Sequence, residues 1–167
     1  MDPAHPPESE SPPAKLSGRK ARSRRLARLA AVQALHQMET TGAGADAVVS
    51  EFLDHRVKEG IDGVDLSPLD RAFFEALVRG VSGEEKDLDD ILVGMLPEAW
   101  PLDRLDALLR VILRGGAFEL GFSQETPARS VISEYVGLAH DFFGGKEPAM
   151  ANGILDAMAR VLRSDEF

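Results

Sequence analysis

Residues 23–38 read Ser23-Arg24-Arg25-Leu26-Ala27-Arg28-Leu29-Ala30-Ala31-Val32-Gln33-Ala34-Leu35-His36-Gln37-Met38, and this stretch decides the fold class. Ala27, Ala31, Ala34, Leu35 and Met38 recur at the spacing of one helical face, which predicts a helix over about Lys20 to Thr40 with that stripe buried. Thr41-Gly42-Ala43-Gly44 ends it.

The same period continues toward the C-terminus. A second helix is expected over Ala45 to Lys58, with Val48, Val49, Phe52 and Leu53 inward, and a loop from Gly60 to Leu66. Ser67-Pro68 reads as an N-cap followed by proline at the first helical position. The third helix then reaches about Gly80. Ser82 reads as the cap of a fourth, with Glu84, Glu85 and Asp87 suited to its first turn. Pro97 to Pro101 breaks the pattern, and Leu102 to Leu120 forms the most hydrophobic helix. Gly115-Gly116 inside it costs about 1 kcal/mol per residue relative to alanine, so a close helix–helix approach is expected there. Thr126-Pro127 opens a sixth helix ending near Phe143, and Pro148 to Leu162 forms a seventh. No run of period-2 β-branched residues intervenes. The expectation is an all-α, compact bundle of about seven helices.

Toward the N-terminus the character changes. Met1 to Ser17 is rich in Pro, Ser and Glu and has one large aliphatic residue, Leu16. Such a segment buries too little surface to offset its ordering entropy, so residues 1–18 are expected to be a disordered tail and residues 19–165 the folded domain. Lys15, Arg19, Lys20, Arg22, Arg24, Arg25 and Arg28 form an acid-free run. From Glu39 onward, 12 bases face 25 acids, and the whole chain carries a net charge of −9 over 167 residues. A basic arm, 19–28, thus sits on an acidic body, an asymmetry that suits nucleic acid or a basic protein partner.

Several chemistries find no support. Cysteine is absent, which removes disulfides, thiolate metal sites and thiol catalysis and suits a reducing cytoplasm. No apolar run approaches the ~18 residues that span a bilayer, and Met1 to Pro13 lacks the apolar core of a signal peptide. His5, His36, His55 and His140 include no i,i+4 pair, so no metal is expected. Gly42-Ala43-Gly44-Ala45-Asp46-Ala47 matches a loose dinucleotide pattern, but a helix precedes it where a strand is required. The carboxylates Asp87, Asp89 and Asp90 lack EF-hand spacing. There is no G-x-S-x-G elbow. Neither an enzyme nor a cofactor is expected.

The arm remains. Arg24 and Arg28 stack four apart, Arg22 and Arg25 lie three apart, and guanidinium groups along a helix suit phosphates. RNA is preferred to duplex DNA, since no helix-turn-helix pattern appears and the acidic body would repel a long duplex.

The residues also resemble a family. Arg24-Arg25-Leu26-Ala27-Arg28 leading into Ala31-Val32-Gln33-Ala34-Leu35 is similar to the opening of the bacterial transcription antitermination factors of the NusB family. Val111-Ile112-Leu113-Arg114 with Ala117-Phe118-Glu119-Leu120, Pro127 with Val131-Ile132-Ser133-Glu134-Tyr135-Val136, and Asn152-Gly153-Ile154-Leu155-Asp156 follow in the family's order. The resemblance implies two packed helical subdomains. It also implies binding to the boxA element of nascent ribosomal-type RNA, as a heterodimer with the ribosomal protein NusE, within an antitermination complex on RNA polymerase. By the same resemblance, Arg22, Arg24, Arg25 and Arg28 would contact phosphates. Arg114 would lie near the RNA path, and His36 would stand where relatives have a tyrosine. Ala149 and Met150 replace a Lys-Phe pair that lies close to RNA in relatives, and Lys146 is expected to restore the charge. Leu109 stands where many relatives carry an acid on the NusE-facing surface, and Ser133 replaces an asparagine. The alternative function is a helical adaptor that binds only protein, as a homodimer among other arrangements.

Overall fold

The computed structural model describes residues 11–167, with side chains from Gly18 onward. Residues 1–10 of the expected tail lie outside the described residues. Helix α1 spans Ser11–Thr41, so its helical backbone starts well before Lys20. It stops where expected: Gly42 takes φ +78°, a left-handed conformation that glycine adopts without strain. The Gly42 N–H donates to the Met38 carbonyl at 2.8 Å.

Helix α2, Ala45–Glu51, continues through a π-helical turn at Phe52–Arg56 into Val57–Glu59. Then follow α3 (Arg71–Gly83), α4 (Glu85–Met95), α5 (Ala107–Gly121), α6 (Ala128–Phe142) and α7 (Glu147–Leu162). Short 3-10 turns occupy Leu102–Arg104 and Ser164–Glu166. The described residues therefore form seven α-helices and no strand beyond one isolated bridge, Ile61 to Val64.

Four helix starts differ from expectation: Ser82 lies inside α3, and α4 starts at Glu85 with no side-chain cap, while at the other three another side chain satisfies the free N–H groups. Asp70, not Ser67, caps α3, its carboxylate accepting from the Phe73 N–H at 2.9 Å. Ser67-Pro68 lies in the preceding turn, which closes with Leu69 N–H to Leu66 carbonyl at 3.0 Å. Asp106 caps α5 by accepting from the Leu108 N–H at 2.8 Å, so the helix begins five residues after Leu102. At α6 the Thr126 side chain makes no cap. Glu166, near the C-terminus, accepts from the Ala128 N–H at 2.8 Å instead.

Helix α5 is the axis of the bundle. Ten of its fifteen residues are buried, and it packs against α1, α3, α4, α6 and α7. It joins the first three helices to the last four in one continuous apolar core. Its glycines make that density possible: a Cβ on Gly115 would stand 2.6 Å from the Tyr135 ring, and one on Gly116 would stand 2.7 Å from Leu155. The C-terminal end of α5 is held by Arg163, which is 2% exposed. Its guanidinium donates to the carbonyls of Glu119 (2.9 Å), Leu120 (2.8 Å), Ser123 (2.8 Å) and Thr126 (3.2 Å). A cation at a helix C-terminus satisfies free carbonyls and complements the dipole.

Glycine substitutions separate packing from propensity. Gly115→Ala gains about 1 kcal/mol of helix propensity, but the clash with a ring fixed by its own hydrogen bond costs about 1–3 kcal/mol. Urea denaturation is expected to show net destabilisation. Gly94→Ala, with nothing within 4 Å of the added atom, is expected to raise stability by about 0.5–1 kcal/mol. Stabilisation of both variants would contradict the close approach at Gly115.

Candidate nucleic-acid interface

The N-terminal part of α1 carries its arginines to two different environments. Arg19, Lys20, Arg22 and Arg25 are exposed, Arg24 is half-buried, and Arg28 is buried. No acid between Ser11 and Met38 can pair locally with Arg22, Arg24, Arg25 or Arg28, for all of which the resemblance implies phosphate contacts. The fold brings carboxylates from distant segments to Arg24, Arg25 and Arg28.

Arg28 is 4% exposed and meets Glu119, itself 1% exposed, through two hydrogen bonds: Nε to Oε2 at 2.7 Å and Nη2 to Oε1 at 2.8 Å. The Tyr135 hydroxyl donates to the same carboxylate at 2.6 Å. Glu119 thus receives three donors, the condition under which a buried charge is tolerated. Burial works against the Arg28 charge. The hydrogen bonds and charge of Glu119, aided by Tyr135 and Glu134, outweigh it and raise the arginine's pKa further. Burial, reinforced by the Glu119 charge, pushes the Tyr135 hydroxyl well above its ordinary range.

Arg24 pairs with Glu125 at 3.0 Å, and its Nε lies 3.9 Å from Asp70, too far for a hydrogen bond. The guanidiniums of Arg24 and Arg28 stand 4.6 and 4.9 Å from the centre of the Phe73 ring. Arg25 is bonded to Glu134 through Nε (3.2 Å) and Nη2 (3.0 Å), yet its side chain is 64% exposed. The Glu134 hydrogen bond and charge raise its pKa, so it stays cationic throughout the accessible range.

Arg22, Arg25, Leu29, Gln33, His36 and Thr40 fall on one face of α1 by helical spacing, and each is exposed or half-exposed. This stripe joins Arg22, Arg25 and His36. Two other expected site residues lie apart from it. Arg114, 8% exposed, sits on α5 and donates to Asp89 at 2.7 and 3.0 Å and to Glu39 at 3.4 Å. Burial disfavours its charge, but Asp89, with Glu85 and Glu39, holds its pKa raised. It ties α4 and the end of α1 to α5, a neutralised position rather than a free cation. Lys146 is exposed at the start of α7, with Nζ 5.0 Å from the centre of the Trp100 ring. Leu109 is 2% exposed, so the residue expected at a partner-facing surface belongs to the core. Ser133 is exposed on α6 beside Glu134, and Ala149 is exposed and Met150 half-buried on α7.

Glu119, Glu134 and Tyr135 stand in the family blocks of the sequence, but no contact follows for them from the sequence alone. One signal could have found the first: a lone carboxylate in the most hydrophobic helix needs a buried partner. Truncating Arg28 leaves that carboxylate uncompensated, so Arg28→Ala is expected to cost about 3–5 kcal/mol. Arg25→Ala removes an exposed pair and is expected to cost at most about 1 kcal/mol. Equal losses in urea denaturation would refute the division between a structural and a surface arginine.

No helix of the described residues is long and apolar enough to cross a membrane. Comparison with known proteins agrees with the helical architecture. The family model described as "NusB family" matches residues 25–160. The chain is 47% identical over 148 residues to the transcription antitermination protein NusB of Caulobacter vibrioides, covering 89% of this chain and 99% of that protein. It is 43% identical over 158 residues to the protein of the same name from Rhodopseudomonas palustris, covering 95% and 94%. A chain in the crystal structure of antitermination factors NusB and NusE in complex with dsRNA shares the fold, with a TM-score of 0.70 and 24% identity, over 84% of this chain and 98% of that one. With a family match across most of its length and such relatives over nearly all of it, the chain belongs to the NusB family.

Proposed function

We propose that the chain is a transcription antitermination factor that binds boxA-type single-stranded RNA of nascent ribosomal transcripts, together with NusE, within the antitermination complex on RNA polymerase. The observation that carries this reading is the exposed basic start of α1, continuous with the stripe Arg22, Arg25, Gln33 and His36, on a body that is otherwise acidic. Arg19, Lys20, Arg22 and Arg25 supply the phosphate contacts. Arg24 joins them by exchanging Glu125 for a phosphate, and Arg25 likewise releases Glu134. His36 offers a ring on which an unstacked base can rest. Arg28 and Arg114 act by holding α1 in place, and Lys146 adds a cation at a separate point of the RNA path.

The acidic body suits a basic ribosomal protein, whose arrival adds further phosphate contacts and orients the pair. The role is one of binding rather than catalysis, carried out in the cytoplasm without metal or cofactor.

Salt dependence tests the reading. Each phosphate contact on a single strand contributes a slope of about 0.7 in log affinity against log salt. Arg22→Ala combined with Arg25→Ala is therefore expected to flatten the slope by about 1.4 units. The helix should persist, since alanine is the best helix former, and circular dichroism checks it. Lysine at both positions is expected to keep the slope and lose part of the affinity, because the bidentate fork is gone. An unchanged slope in the alanine variant would make the protein-only adaptor the better reading.

A further inference from the structure

Trp100, the chain's one tryptophan, is half-buried in the segment between α4 and α5. It borders a cavity of about 200 Å3 also lined by Arg104, Leu105, Asp106, Lys146 and Met150. Lys146 holds its ammonium 5.0 Å from the ring centre, within cation–π range. Among the described residues, Lys146 and Arg104 have no carboxylate within ion-pair distance, as is also true of Arg56, Lys58, Arg71 and Arg129; these two alone line the cavity with Trp100. The nearby acid Asp106 is engaged elsewhere, accepting from the Leu108 N–H. Glu147, the other acid of the lining, sits in the first turn of α7.

An aromatic face, an apolar floor of Leu105 and Met150, and two unneutralised cations on an acidic body match one ligand chemistry. That ligand is an unstacked nucleobase with its flanking phosphates. We infer that the Trp100 cavity is a base-stacking subsite for single-stranded RNA, in which Trp100 carries the base and Arg104 and Lys146 hold the phosphates. The inference rests on the RNA-binding function proposed above and adds Trp100 and Arg104 to its contacts. It also gives Lys146 a defined partner.

Because Trp100 is the sole tryptophan, its emission reports this cavity alone. The experiment titrates the full chain with a labelled single-stranded boxA-type RNA, following label anisotropy and tryptophan emission together. The expected result is saturating quenching of Trp100 in step with the anisotropy. Trp100→Ala is expected to weaken binding about 5- to 100-fold with an unchanged salt slope, since stacking releases no counterions. Trp100→Phe is expected to recover most of the affinity and serves as the readout if the alanine variant does not fold. Arg104→Ala and Lys146→Ala should each lower the slope by about 0.7. Anisotropy that rises while the emission stays constant, with full affinity in Trp100→Phe and Trp100→Ala, would overturn the subsite and leave the RNA-binding function standing. Emission that responds to NusE without RNA, and not to RNA, would assign the cavity to protein and overturn the inference. No anisotropy change with or without NusE would overturn the function and the subsite together.

Discussion

Glu119 lies on the most buried helix of the bundle, and its carboxylate must be satisfied where water does not reach. The solution is an arginine from α1 and a tyrosine from α6, at 2.7–2.8 Å and 2.6 Å. A buried ion pair is weak evidence for stability when compared with an apolar replacement, but losing one member of it is expensive. The pair therefore acts chiefly as a register pin. It admits one axial position of α1 against α5, because a shift along α1 would move Arg28 away and leave Glu119 alone.

Other features follow from that register. With Arg28 turned inward, helical spacing turns Arg22, Arg25 and His36 outward onto a common face. Arg114, five residues before Glu119 on α5, reaches Asp89 and Glu39. A second charged contact thereby fastens the other end of α1. Beyond Glu119, Arg163 gathers four carbonyls around the end of α5, and Glu166 caps α6. The small faces at Gly115 and Gly116 let α6 and α7 close on α5, which brings the Tyr135 hydroxyl within reach of Glu119. Charge is thus used twice: buried in pairs to fix the helices, and kept at the surface where phosphates are proposed to bind.

Much of this architecture was legible in the residues. Seven amphipathic segments, the Gly42 stop and the close approach at Gly115-Gly116 follow from periodicity and from the cost of glycine in a helix. The helix starts were less legible. Ser67-Pro68 and Thr126-Pro127 are good local cap signals, yet Asp70 and the distant Glu166 supply the oxygen that does the capping. The arginine environments were not legible from local sequence. Arg24, Arg25 and Arg28 find their partners at Glu125, Glu134 and Glu119, some hundred residues away, and only tertiary folding brings them together. The family blocks contained both Glu119 and Tyr135, but a motif states identity without stating what its residues touch. The Trp100 cavity was not legible because Lys146, which stands over the ring, comes from the start of α7 and meets it only on folding.

Arg28 and Glu119 act as one unit that docks α1 on α5. A double-mutant cycle in urea tests this most directly, using Arg28→Met, Glu119→Gln and their combination. The glutamine keeps an oxygen for the Tyr135 hydroxyl, so the cycle isolates the ionic contact. The combined variant is expected to be at least about 2 kcal/mol more stable than the sum of the two single losses implies, within the range found for residues of one network. Losses that add to within about 0.5 kcal/mol, the behaviour of independent sites, would contradict it.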